Sequence, residues 1–333
     1  MKRMLFKWMV LSLALLLAVA ILGGCMRGGS DSGAPEPTQS PDAQGVKPKI
    51  PSKLSLDNGV PQLVVYDVDQ QSYDKMDIER YLEGVLAGEM RNDWPMEALK
   101  AQAILARTYA LKFIQDKQSA YGGADISTDI KEAQAYDAAK VNERIKKAVQ
   151  GTRGQVLSAA GELPIAWFHA HAGGMTELAV PGLDYKEGEP SYTQAVRSPE
   201  SDKAPTAVKQ WKASFTAEEV GKACADAGVR TGTVKTIEIG ERGKSGRAAT
   251  LTVNGKQVSG PALRLALDAK KLKSMLLTGV TVAGDTVTFE GMGYGHGVGM
   301  SQWGAYGMAE QGQKANEIVT HYFKGVEVAN LWS

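Results

Sequence analysis

Only two cysteines, Cys25 and Cys224, and four histidines stand among the 333 residues. So few thiols exclude a disulfide framework and a cysteine-rich metal site. Neither sign of charge is in excess, because 38 Lys and Arg face 37 Asp and Glu, a formal net charge of +1. A nucleic-acid surface needs a dominant basic patch, so nucleic acid is not an expected partner. The body must stand on its own core. With 43% hydrophobic residues and roughly 275 residues beyond a linker, it is long enough to do so in more than one lobe.

The few charges at the N-terminus are all positive: Lys2, Arg3 and Lys7 precede an apolar run from Met9 to Leu22. That run is short for a membrane span, which takes about 20 residues, and reads as a secretory leader. It ends in Leu22-Gly23-Gly24-Cys25, which resembles the bacterial lipoprotein signal whose cysteine receives lipid. The alternative is an uncleaved single span. Either anchors the chain to the membrane and leaves the body outside the cytoplasm. Prolines 35, 37, 41, 48 and 51, with many Gly and Ser, make the next stretch a tether of about 30 Å reach. The expected organisation is therefore a leader at 1–24, a tether at 25–57 and a folded domain at 58–333, with a possible second lobe at about 212–290.

Glycine is concentrated where stability would not choose it. Seven glycines fall between Gly291 and Gly307, in GMGYGHGVGMSQWGAYG. Such spacing is expected where backbone takes left-handed conformations or lies directly against a ligand. Tyr294, His296, Ser301, Gln302, Trp303 and Tyr306 give that run polar and aromatic side chains. It reads as a binding wall, in which Gly297→Val should weaken binding before it weakens folding. A dinucleotide site is not expected, because no βαβ unit and no correctly spaced acidic residue accompany the glycines.

The remaining signals alternate between helix and hairpin and give an α+β fold, with mixed helices and antiparallel sheet in two lobes about a cleft. Gln62 to Asp67 reads as a strand and Tyr136 to Val149 as a helix. Gln155–Ala160 and Leu163–Ala170 read as a hairpin through Gly161. Thr216 and Glu219 form a capping box, Asn254-Gly255 a hairpin turn, and Ala315 to Tyr322 the last helix.

One helix carries a carboxylate on its apolar stripe. Ile78, Leu82 and Val85 follow helical spacing, and Glu89 occupies the next position. Burial raises a carboxyl pKa, which is how glutamate becomes a general acid near neutrality. Gly84, Ala87 and Gly88 are small enough to let something approach this helix closely. A second, alanine-rich helix from Pro95 to about Phe113 brings Gln102 and Arg107 toward the same side. Spacing leaves open whether Glu89 works chemically or forms a buried pair with Arg107.

Tyr81–Met90 with Glu97–Ala110, Trp167–Glu177 and Gly293–Ala309 resemble, in that order, the three motifs of the stage II sporulation protein D and amidase enhancer family. The resemblance runs over roughly Gln62 to Glu327. It implies a lytic transglycosylase acting on peptidoglycan strands during spore engulfment, preferably strands stripped of peptide, with Glu89 catalytic. It also implies a cell-wall amidase and other engulfment proteins as partners. His171 stands where family members carry a small hydroxyl residue, and many members have a membrane span instead of a lipid anchor.

A single glutamate suffices if the nucleophile belongs to the substrate. Glu89 is therefore assigned as acid and base, with Gln102, Arg107, Tyr109, His296, Ser301 and Gln302 holding glycan or steadying the carboxylate. Trp94, Trp167 and Trp303 could stack on sugar. His169 and His171 alternate along a strand, but a third ligand is missing, so neither metal nor cofactor is expected. The rival readings are a non-catalytic glycan-binding enhancer of an amidase and a two-carboxylate hydrolase.

Overall fold

The computed structural model describes residues 46–333. Cys25, the leader and most of the tether lie outside the described residues. Among those described, no helix is long and apolar enough to cross a membrane. Ordered packing begins ahead of residue 58: Leu54 enters the core, and Ser55–Asp57 pairs with Val60–Asp67.

The fold is mixed α+β, and its first core is built around one helix. Helix α1 (Ile78–Glu89) is capped by Asp77, whose side chain accepts from the Arg80 amide. Helix α2 (Met96–Asp116) follows directly, with Pro95 at its N-cap. Its alanines let neighbours approach on every side, so it is buried nearly all round. Helix α1, the helices Glu143–Gln150, Gln302–Glu310 and Ala315–Tyr322, and strand Gln155–Ala159 all pack against it. A second cluster gathers Trp211, Phe215, Val220, Leu251, Leu263, Val287 and Phe289. Its sheet orders Leu277–Ala283, Thr286–Gly291 and Trp211–Thr216 in antiparallel array.

Local signals largely fold as read. Thr216 and Glu219 form the capping box, and Asn254 and Gly255 take positive φ in the turn joining Thr250–Val253 to Lys256–Ser259. The last helix is Ala315–Tyr322. Two expectations fail. The helix expected from Tyr136 starts only at Glu143, because the Asn142 side chain takes the Arg144 and Ile145 amides and caps it there. Gln155–Ala159 does not form the expected hairpin but pairs with Val326–Asn330. Beyond the Ala159–Glu162 bridge, Pro164 has no N–H to continue a ladder.

The glycine run also differs from its expected role. Phe168 and His169 pair in parallel with Met300 and Ser301, while His171 bridges Tyr294 and Glu177 bridges Val298. Gly293, Gly295, Gly297 and Gly299 all have positive φ. A Cβ at Gly299 would lie 2.0 Å from the Trp167 carbonyl oxygen, and one at Gly297 would lie 2.3 Å from the Arg247 guanidinium. The glycines therefore face protein, not an open ligand surface; they let residues 293–301 lie against residues 167–177. Arg247 completes the joint by donating to the carbonyls of Met175 (2.9 Å) and Ala172 (2.6 Å). Gly297→Val would combine a β-branched residue at φ +89° with a clash against this buried cation. It should cost on the order of 3 kcal/mol or more in urea unfolding. A folded variant with the wild-type midpoint would contradict this account.

Candidate functional site

Glu89 ends α1 at the floor of an open hollow of about 650 Å³ of empty space, lined by Ala87, Gly88, Met90, Arg91, Asn92, Asp93 and Lys140. Ile78, Leu82 and Val85 on its stripe are fully buried, so the helix delivers its carboxylate from the core to the edge of solvent. Oε1 of Glu89 accepts the Ala135 amide at 2.7 Å. Burial pushes the carboxyl up to about 7, against the opposing pull of that amide and of the Gln302 side chain. A carboxyl so placed is protonated or ionised with nearly equal ease at neutral pH.

Gln302 comes from the first turn of its helix, which Ser301 caps by accepting the Gly304 amide. Its Nε2 donates to the Glu89 backbone carbonyl at 3.3 Å and stands 3.5 Å from Gln102 Oε1. Gln102 is fully buried, and its Nε2 has no hydrogen-bond partner. Trp94, Trp303 and Tyr306 form an aromatic cluster with ring centroids 4.4–5.2 Å apart. Trp94 follows directly on the hollow's Asp93, and Trp303 follows Gln302, so the cluster flanks the carboxylate. Trp167 lies apart, packed on Tyr185 and Tyr192.

The structure thus joins Glu89, Gln102 and Gln302, and it disperses the other residues expected beside them. Arg107 is wholly buried and pairs with Glu79, with Nε at 3.1 Å and Nη2 at 2.5 Å. It neither neutralises Glu89 nor reaches a ligand. The Glu79 carboxylate also accepts from the Gly154 amide and the Trp332 indole. Burial, and after it the charge of Glu89, raises the Tyr109 hydroxyl pKa, but Tyr109 borders a separate hollow with Lys112, Phe113 and Ile165. His296 takes the Val298 amide on Nδ1 at 3.0 Å. Burial and the cations Arg264 and Arg247 bring its pKa down to about 3, so it stays neutral. Ser301 is fully buried and donates to Glu200 at 3.0 Å.

Glu200 escaped sequence reasoning. Its oxygens take the Ala172 amide (2.9 Å) and the Ser301 hydroxyl, with His171 Nε2 at 3.7 Å. Burial pushes it, too, up to about 7 and brings His171 down to about 4. No helical stripe or motif marked it. Among the described residues no group of three or more His, Cys, Asp and Glu is arranged to hold a metal ion.

A stage II sporulation protein family model matches residues 66–158, which contain α1, α2 and Glu89. The chain is 31% identical over 279 residues to the stage II sporulation protein D of Bacillus amyloliquefaciens, covering 80% of this chain and 78% of that protein. The chain belongs to the stage II sporulation protein D family. Its counterpart of that name in Bacillus subtilis is 29% identical over 305 residues, or 86% of this chain and 84% of that protein. An amidase enhancer of Bacillus subtilis is 28% identical over 295 residues, 75% of this chain but only 40% of that protein. A second model, described as a domain of unknown function, matches residues 189–299.

Arg107 should behave as a structural residue in this family member. Arg107→Met strands the buried Glu79 carboxylate and is expected to cost about 3–5 kcal/mol of stability. Activity per folded molecule should stay near wild type. Calorimetry together with turnover corrected for the folded fraction tests both halves.

Proposed function

We propose that the protein is a peptidoglycan lytic transglycosylase with a cell-wall role in sporulation. The observation that carries the reading is Glu89: a carboxyl raised to about 7, opening on a hollow beside an aromatic cluster. Membership of the stage II sporulation protein D family supports the setting.

In this mechanism the protonated Glu89 gives its proton to the glycosidic oxygen between N-acetylmuramic acid and N-acetylglucosamine as the C1–O bond breaks. The 6-hydroxyl of the same muramic acid residue then bonds to C1, and its proton returns to Glu89. The products are a free 4-hydroxyl and a 1,6-anhydro sugar, and no water is consumed. Gln302 and Gln102 brace the carboxylate's end of α1. Trp303 and Tyr306 offer apolar faces to sugar rings. A hydrolase would need a second carboxylate in the hollow. Asp93 is there, but Arg91 occupies both its oxygens at 3.1 and 2.7 Å. Glu200 is turned inward to Ala172 and Ser301.

The likeness to an amidase enhancer favours a second reading, in which the same surface binds glycan and stimulates an amidase without turnover. For either activity we propose that the chain is anchored outside the cytoplasmic membrane through Cys25. Cys25→Ser should leave an unprocessed precursor that takes up no labelled lipid, and a wild type without label would favour an uncleaved span.

Glu89→Gln keeps shape and hydrogen bonding but cannot give and retake a proton. Binding to peptide-free glycan should persist while turnover falls about 100-fold or more. Mass spectrometry of wild-type products should find anhydro ends that resist borohydride. Near-normal turnover by the glutamine variant would remove Glu89 from the chemistry, and reducible ends would make the protein a hydrolase.

A further inference from the structure

The Glu89 carboxylate takes its one full hydrogen bond from Ala135, a residue 46 positions away that no motif includes. What brings that amide there is a groove along α1. A Cβ on Gly84 would stand 2.2–2.8 Å from the Tyr136 ring, and one on Gly88 would stand 2.7–2.9 Å from the backbone of Ala135 and Tyr136. The Asp137 amide donates to the Gly84 carbonyl at 2.9 Å, and Tyr136 stacks on Tyr81 with centroids 5.7 Å apart. Residues 135–137 thus lie in a trough that only two glycines one helical turn apart leave open.

We propose that Ala135 is a positioning residue for Glu89: its amide, seated by Gly84 and Gly88, holds Oε1 as an acceptor and leaves Oε2 to carry the proton. The chemistry is one-directional. An amide nitrogen donates and cannot accept, so it favours Oε1 as the unprotonated oxygen: a hydroxyl there would be a much weaker acceptor and would have to turn its own hydrogen away. The neutral carboxyl is therefore Oε2–H, and the ionised one is stabilised through Oε1. This deepens the acid–base reading of Glu89 and rests on it for its catalytic meaning.

Among the groups around Glu89, the Gln302 side chain joins the amide in drawing its pKa down, with the amide the larger influence. Tyr81 on α1 and Tyr109 on α2 have hydroxyl pKa values raised by burial and stay neutral. Past the end of α1, Arg91 and Asp93 neutralise each other, and Lys140 is paired with Asp137. The Gln302–Glu310 helix presents Gln302, which is uncharged.

The test reads the carboxyl directly, in the whole protein labelled with 13C at glutamate side-chain carboxyls. The Glu89 resonance is assigned by its loss in Glu89→Gln, and its wild-type midpoint is expected at about 7. Gly88→Ala displaces the Ala135–Tyr136 backbone, weakens the bond to the ionised form and should move the midpoint up by about one pH unit. The basic limb of the pH–rate profile should follow it. Should Gly88→Ala fail to fold, incorporating L-lactate at 135 exchanges the N–H for an ester oxygen and should move the midpoint the same way. An unmoved midpoint in a folded protein of either kind overturns the inference. A raised midpoint beside a fully active Glu89→Gln would uphold the positioning and refute the catalytic reading instead.

Discussion

Where residues 293–301 pass residues 167–177, the backbones come directly together at Gly293 and Gly299, and a Cβ at Gly299 would sit 2.0 Å from the Trp167 carbonyl. Much of the site's geometry follows from this contact. It fixes Met300 and Ser301 against Phe168 and His169, and the Trp303 amide against the Ala170 carbonyl at 3.0 Å. The helix that begins at Gln302 is thereby aimed at the end of α1. The same seam grips the second cluster: Arg247 donates to Met175 and Ala172, and the indole of Trp211 donates to the Gly293 carbonyl at 3.0 Å.

Four carboxylates in the interior show how donor supply separates support from chemistry. Glu177 accepts from the amides of Leu178, Lys244 and Ser245 and from the Ser245 hydroxyl. Glu79 has both arms of Arg107 with an amide and an indole. So many donors fasten a carboxylate in place. Glu200 accepts an amide and a hydroxyl that lie inside the protein. Glu89, with one amide and a face toward the hollow, retains both the freedom to change protonation and something to exchange its proton with.

Residues close in sequence were read well, because their signals are local. The stripe Ile78, Leu82, Val85 led to Glu89 through helical spacing alone, and the Thr216 cap and Asn254 turn needed no tertiary knowledge. The small residues of α1 correctly announced a close approach. What approaches is residues 135–137 of the same chain, and nothing in helical spacing identifies a partner nearly fifty residues away. The glycine run repeats the lesson: its spacing reports backbone contact but not whether the contact is ligand or protein. Arg107 was expected near Glu89 because both lie on helical faces that could meet. Glu79 lies ten residues before Glu89 on α1, about 2.8 turns, so the two point roughly 80° apart and differ by about 15 Å in height, and these positions decide which one Arg107 meets.

That difference in height has a chemical consequence. A guanidinium against Glu89 would hold it ionised well below neutrality, and an ionised carboxyl has no proton to give. Glu79 keeps the one buried arginine of α2 occupied, with the Val149 and Gln155 carbonyls as further acceptors. Near Glu89 there remain an amide dipole, neutral tyrosines and glutamines, and cations already paired. These groups moderate the desolvation of a carboxylate without abolishing it. The buried ion pair thus does more than join α1 to α2: it removes from the reach of Glu89 the charge most able to fix its protonation state.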